Sequence, residues 1–192
     1  MPPLPTSFYA RPTLDVARDL LGARLVRILD GVRVCGFILE TEAYIGETDL
    51  ACHARAGKTA RTRIMYGPPG HAYVYFTYGM HWMLNTVTEA DGFPAAVLIR
   101  SVELETGFEV VAARRAKASR SDWTNGPAKL AQAFGIDQAQ NDIDLTDSAS
   151  DLCLESGVVI SDANVTIGSR VGLYSVPEPW KSIAWRFLAN RS

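Results

Sequence analysis

Ala72-Tyr73-Val74-Tyr75-Phe76-Thr77-Tyr78-Gly79-Met80, followed two residues later by Met83-Leu84-Asn85-Thr86-Val87, decides how this chain folds. The first run is dense in β-branched and aromatic residues, which suit a pleated, half-buried strand. A glycine stands beside its last tyrosine and marks a turn. The two runs therefore read as the arms of an antiparallel hairpin with Tyr78-Gly79 at or near its tip. Side chains alternate along a strand, so Tyr73 and Tyr75 share a face and Tyr78 does not. At a turn Tyr78 would project outward, and a ring on a hairpin tip can wedge into a base stack. Ordinary sheet packing would account for Tyr73 equally well.

Working outward, Thr13-Leu14-Asp15 opens a helix that Gly22 closes. Residues 24–28 and 32–42 read as strands around Asp30-Gly31, a pair suited to a tight hairpin turn. Within the second strand, Val34-Cys35-Gly36-Phe37-Ile38-Leu39 suggests burial on both faces, so the polar end Glu40-Thr41-Glu42 must emerge somewhere useful. Residues 45–69 have no clean period, and long loops inside compact domains are usually functional or disordered. A further strand is expected over 95–100 and a helix over 107–118. Asn125-Gly126-Pro127 supplies a cap and proline for a helix through Phe134. An acidic surface loop over 137–150 and short strands at 158–160 and 170–174 complete the chain. Helices mixed irregularly with hairpins predict an α+β fold. We expect one domain over residues 1–192, with a curved, mainly antiparallel sheet, flanking helices and a protruding β-hairpin.

The 192 residues suffice for a core without disulfides or metal staples. A net charge of −2 argues against a generic basic nucleic-acid coat. It leaves room for a local site, because screening lets contacts within roughly 10 Å dominate. Three widely spaced cysteines, Cys35, Cys52 and Cys153, suggest a reducing compartment and no disulfide framework. No paired ligand spacing accompanies Cys52-His53, so no metal site is expected. Without a Gly-rich phosphate loop after a strand, no cofactor is indicated. No segment approaches the ~18 apolar residues of a membrane span. A cytoplasmic monomer follows as the expectation.

The charges, though few in sum, are concentrated. Between Leu50 and Thr88 there is no acidic residue, yet that window holds Arg55, Lys58, Arg61, Arg63, all three histidines and four of the seven tyrosines. Cations match phosphates and flat rings match bases. Just upstream stand Glu40 and Glu42, which point the same way along a regular strand. Paired carboxylates serve glycoside hydrolysis, although spacing alone is also met by two solvated strand-end residues.

Taken together, Glu40-Thr41-Glu42-Ala43-Tyr44, His53, Tyr73 to Met80 and Asn85 closely resemble the alkyladenine (3-methyladenine) DNA glycosylase family first defined by the mammalian enzyme. Leu98-Ile99-Arg100, Asn125 to Leu130 and Arg170-Val171-Gly172 follow in the same order, so the likeness spans nearly the whole chain. The resemblance implies that Glu42 is the general base that activates water, with Arg100 near that water and the target phosphate. It implies that Tyr44, His53 and Tyr75 enclose the extruded base, that Asn85 screens against the amino group of guanine, and that Tyr78 fills the vacated space. Arg55, Lys58, Arg61 and Arg63 are the expected backbone contacts. Trp82-Met83 departs from the family pattern, which leaves the effect of Trp82 on the pocket open.

The implied activity is that of a monofunctional glycosylase. It would flip alkylated or deaminated purines out of double-stranded DNA and cleave the N-glycosidic bond with water, opening base excision repair. No lysine looks suited to Schiff-base chemistry, so strand cleavage is not expected, and neither is an obligatory protein partner or a membrane association. The same nucleoid-associated, cytoplasmic setting would also suit a non-catalytic lesion-binding module. A small-molecule nucleoside hydrolase is a third reading, one that leaves Tyr78 and the cationic run without a purpose.

Overall fold

The computed structural model describes residues 1–190. In chain order the elements are α1 (Thr6–Tyr9), α2 (Thr13–Asp19), β1 (Arg24–Leu29), β2 (Val32–Ile45), β3 (Ala72–Thr77), β4 (His81–Val87), β5 (Ala95–Thr106), α3 (Phe108–Arg114), α4 (Pro127–Ala133), β6 (Leu152–Glu155), β7 (Val165–Gly168) and β8 (Arg186–Ala189). Among the described residues the strands form one eight-stranded sheet in the order β3-β4-β5-β2-β1-β6, every pair antiparallel, with β8 joining β2 and β7 joining β8. The fold is α+β. No helix among the described residues is long and apolar enough to cross a membrane.

Both tight hairpins follow from local chemistry. Asp30 and Gly31 take φ of 49° and 80°, and Tyr78 and Gly79 take 52° and 67°. Two successive positive φ values match the right-handed twist of the flanking strands. Glycine adopts this region freely, but Tyr78 does so at a cost of order 1–3 kcal/mol. Strain of that kind gathers at functional sites, and here it holds a large ring 79 % exposed at the end of β3–β4.

The main core lies where α2 packs on β2 and β5 and α4 packs on β4 and β5. Leu20, Leu25, Ile38, Leu84, Ile99, Leu130 and Phe134 are fully buried there. At the centre β2 carries the site. One of its edges pairs with β5 along nearly its whole length, while the other pairs first with β1 and then, at Glu40 to Glu42, with β8. Its register with β5 runs Ile38↔Val102, Glu40↔Ser101, Thr41↔Ile99. Leu39 is thus extra on β2 and Arg100 extra on β5, two compensating bulges. Bulges re-aim side chains, and this pair turns Arg100 toward both carboxylates of β2.

The strands expected at 158–160 and 170–174 do not form. Val158 donates its N–H to Gly22 O at 2.9 Å, a lone backbone bond beside the end of α2. Residues 170–174 are held by side-chain contacts instead of a ladder. The strands that do form late in the chain are β6, β7 and β8. Asn125 does not cap α4, whose first flanking residue is Gly126 with no side-chain cap; its Oδ1 accepts from Lys129 Nζ at 3.0 Å.

Candidate active site

Residues 45–69 are neither disordered nor a simple loop. Asp49, fully buried, accepts from the backbone N–H groups of Ile45 (3.3 Å) and Ala51 (3.0 Å) and pairs with the equally buried Arg170 at 2.5 Å. A second apolar cluster, including Cys52, Ala54, Ile64, Met65 and Tyr66, packs this segment against Tyr73, Val87 and Ala96. His53 rides on a 3₁₀ turn over His53–Ala56 and so reaches the tyrosines of β3.

There the sequence-selected residues converge. Tyr44, His53, Tyr75, Tyr78, Asn85 and Arg100 all line one cavity of about 270 Å³, together with Tyr73 and with Val171, Gly172 and Leu173 of the late loop. His53 meets Tyr75 edge to face with centroids 4.5 Å apart, so the two rings form a single wall. Its Nδ1 lies 3.0 Å from Tyr73 Oη. Burial first, then Arg61 and Arg55, lowers the His53 pKa to about 4, which leaves the ring neutral at pH 7. Asn85 is buried and donates Nδ2–H to Tyr73 O at 2.9 Å, which fixes the amide's orientation.

Glu42 is fully buried, one layer behind that lining. Its Oε1 accepts the Val171 N–H at 2.7 Å and lies 3.3 Å from Arg100 Nη1, and its Oε2 accepts the Tyr44 hydroxyl at 2.8 Å. All three partners are cavity-wall groups. Burial pushes the Glu42 pKa up, and Arg100, the Val171 N–H and the Tyr44 hydroxyl hold it back. Buried groups whose ionisation is shifted by desolvation and a specific charge partner are candidates for acid–base work. A larger cleft of about 830 Å³ borders Glu40 but has only Phe108 as an aromatic lining residue. The aromatic residues selected from the sequence line the smaller cavity and not this cleft.

Residues 7–192 match the family model described as methylpurine-DNA glycosylase. A relative from Methanocella arvoryzae is 50% identical over 186 residues, covering 94% of this chain and 92% of its own. One from Carboxydothermus hydrogenoformans is 44% identical over 184 residues (96% and 93%), and one from Salinibacter ruber 45% over 203 residues (100% and 96%). Each of the three is named "Putative 3-methyladenine DNA glycosylase". The chain belongs to the methylpurine-DNA glycosylase family. Membership places it among the DNA glycosylases, hydrolases of DNA repair with DNA as substrate.

Three features of this glycosylase site were not expected from its sequence. Trp82 does not shape the cavity; it packs on Phe76 with ring centroids 4.8 Å apart, and its neighbour Met83 lines the cavity instead. Tyr44 and Tyr75 each already carry a guanidinium over the ring, Arg170 4.7 Å from the Tyr44 centroid and Arg61 5.1 Å from that of Tyr75, while both rings still line the cavity. The cationic run is partly engaged at home. Arg55 donates to Leu50 O at 2.7 Å, Lys58 sits over the Tyr66 ring, and Arg63 lies 3.8 Å from Asp142. Arg170, missed as a site residue, carried one signal: it opened a family-like motif with no role attached.

Proposed function

We propose that this glycosylase acts as a single domain, extrudes a damaged purine nucleotide from duplex DNA and hydrolyses its N-glycosidic bond with water activated by Glu42. The observation that carries this reading is Glu42 itself: a buried carboxylate of raised basicity, hydrogen-bonded directly to the wall of an aromatic cavity, with a strained, exposed tyrosine at that cavity's rim. The volume falls just below the ~300–1,000 Å³ of drug-sized ligand pockets, which suits one heterocycle.

The energetics balance. Extruding a nucleotide costs a few kcal/mol, least for a base that pairs badly. Stacking one base on an aromatic ring contributes ~1–3 kcal/mol. In this reading the His53–Tyr75 pair forms one wall and Tyr44 the facing wall, while Tyr78 keeps the vacated gap from reclosing. Asn85, its Nδ2 committed to Tyr73, presents its remaining groups to the base and selects among purines. Departure of the base leaves an oxocarbenium-like sugar, which the Glu42 carboxylate stabilises while taking a proton from the incoming water. Oε2 accepts only the Tyr44 bond, so it keeps acceptor capacity for that proton. Arg100 contributes a fixed positive charge near the target phosphate. Arg55, Lys58, Arg61 and Arg63 serve the flanking backbone. No lysine lines the cavity, and with water as nucleophile the strand is left uncut. The reaction so written uses only side chains and water and needs no partner protein.

Mass spectrometry of bases freed from duplex DNA carrying 3-methyladenine, 7-methylguanine, hypoxanthine or ethenoadenine tests the reading. At least one should be released from an intact strand; binding without release of any would leave a lesion-binding module. Tyr78→Ala should weaken extrusion by about fivefold or more, equivalent to the loss of ~1 kcal/mol of stacking. A 2-aminopurine reporter beside the lesion should then brighten less on binding than with the unmodified protein, and an equal rise would remove Tyr78 from the wedge role.

A further inference from the structure

Behind Arg100 the structure holds a second carboxylate that the proposed chemistry does not use. Glu40 is only 7 % exposed, and its Oε1 receives Arg100 Nε at 2.9 Å and Arg186 Nε at 2.5 Å. Arg100 is the bulged residue of β5, where ladder geometry does not dictate the direction of its side chain. Arg186 stands opposite Glu42 in the β2–β8 register. We propose that Glu40, with Arg186 as its counter-charge, is a positioning residue that holds Arg100 against Glu42 and balances the charge around the catalytic carboxylate. This inference rests on the glycosylase reading in which Glu42 is the base.

The geometry has a direct consequence. Glu40 takes the inner nitrogen of the Arg100 guanidinium, so the outer nitrogen Nη1 is left to face Glu42. A planar guanidinium gripped at Nε has little freedom to turn. The groups facing Glu42 are Arg100 from β5, Glu40 and Tyr44 from its own strand, and the Val171 N–H from the late loop, while Arg186 of β8, opposite Glu42 in the register, reaches the cluster through Glu40. Tyr75 lies near enough to feel the Glu42 charge, and Arg170, behind Tyr44, is neutralised by Asp49. The four charged side chains Glu40, Glu42, Arg100 and Arg186 sum to zero. Removing the Glu40 charge leaves net positive charge beside Glu42, which favours the carboxylate and weakens it as a base. Removing the Arg186 charge acts in the opposite sense.

The test is the pH dependence of single-turnover excision on a duplex carrying 7-methylguanine, whose cationic base departs without added acid. Glu40→Gln should lower the saturating rate by about tenfold to a hundredfold, the scale of a misplaced catalytic group, with lesion-duplex affinity changed less than about threefold. Its acid limb should move to lower pH, and that of Arg186→Gln to higher pH. Glu40→Gln with the parental rate and limb overturns the inference, as does Arg186→Gln moving the limb in the same direction as Glu40→Gln. If Glu40→Gln does not fold, Arg186→Gln decides alone, since its side chain is 30% exposed and removable. An active parent with unmoved variants sinks this inference only; a parent inert on every lesion sinks the glycosylase reading beneath it.

Discussion

Glu42→Gln binds lesion duplex almost as the parent does and releases base about 10²–10⁴ times more slowly, the range typical of losing a general base. The substitution isolates chemistry because the site can absorb it. The amide oxygen can still accept from the Val171 N–H and sit beside Arg100 Nη1, as Glu42 Oε1 does now. The amide nitrogen would replace Oε2, and the Tyr44 hydroxyl can rotate from donor to acceptor. The fold should even benefit. Burial raises the Glu42 pKa above its unfolded value, so whatever stability this group contributes is fully present at low pH and is lost as pH rises through the folded pKa. At neutral pH the ionised form is a net cost, and the neutral amide removes it. Glu42→Gln should therefore melt no lower than the parent at pH 7, the usual sign of a strained functional group. Single-turnover excision and a thermal melt on the same sample check both halves. Turnover above about a tenth of the parental rate would move the base assignment elsewhere.

The hairpin was legible because two local signals agreed: an aromatic, β-branched run and a glycine at the turn. Asp30-Gly31 was legible for the same reason. Glu40 and Glu42 were legible as a pair on one strand face, and both do meet Arg100. What the sequence hid was depth and direction. Nothing in Glu40-Thr41-Glu42 announces that Glu42 is fully buried, since its burial comes from Val171, about 130 positions downstream, and from Arg100 on a neighbouring strand. Nor does a pattern mark the bulge at Arg100, because a bulge is a property of two strands and not of one. The strands β6, β7 and β8 escaped because each has four residues, too few for a periodicity to show. The short apolar runs at 158–160 and 170–174 competed for the same reading and lost; Val159 is 98% exposed. Residues 45–69 looked aperiodic because a buried ion pair orders them, not an alternating face.

That ion pair should dominate stability. Asp49→Asn is expected to cost about 3–5 kcal/mol, the scale of leaving a buried charge without its partner. Both side chains are 0% exposed. Arg170 also donates to Ala43 O at 3.0 Å and Trp180 O at 3.2 Å, and lies against the rings of Tyr44 and Trp185. An asparagine could still accept one backbone N–H at the start of the segment, but it offers no charge to a guanidinium sealed from water. Against a typical stability of 5–15 kcal/mol the loss is large, and for a chain of this size it corresponds to a melting-temperature drop of roughly 10 °C. Activity should fall with it although position 49 touches no substrate, because the same carboxylate anchors the segment that delivers His53 and, through Arg170, the ring of Tyr44. Replacing both partners, as Asp49→Leu with Arg170→Met, removes the stranded charge and should recover most of the lost stability, since an apolar pair of similar volume is often neutral. Urea or thermal denaturation of the single and double variants separates the two cases. A double variant no more stable than Asp49→Asn would mean that the backbone bonds of Asp49, and not its charge, hold residues 45–69 in place.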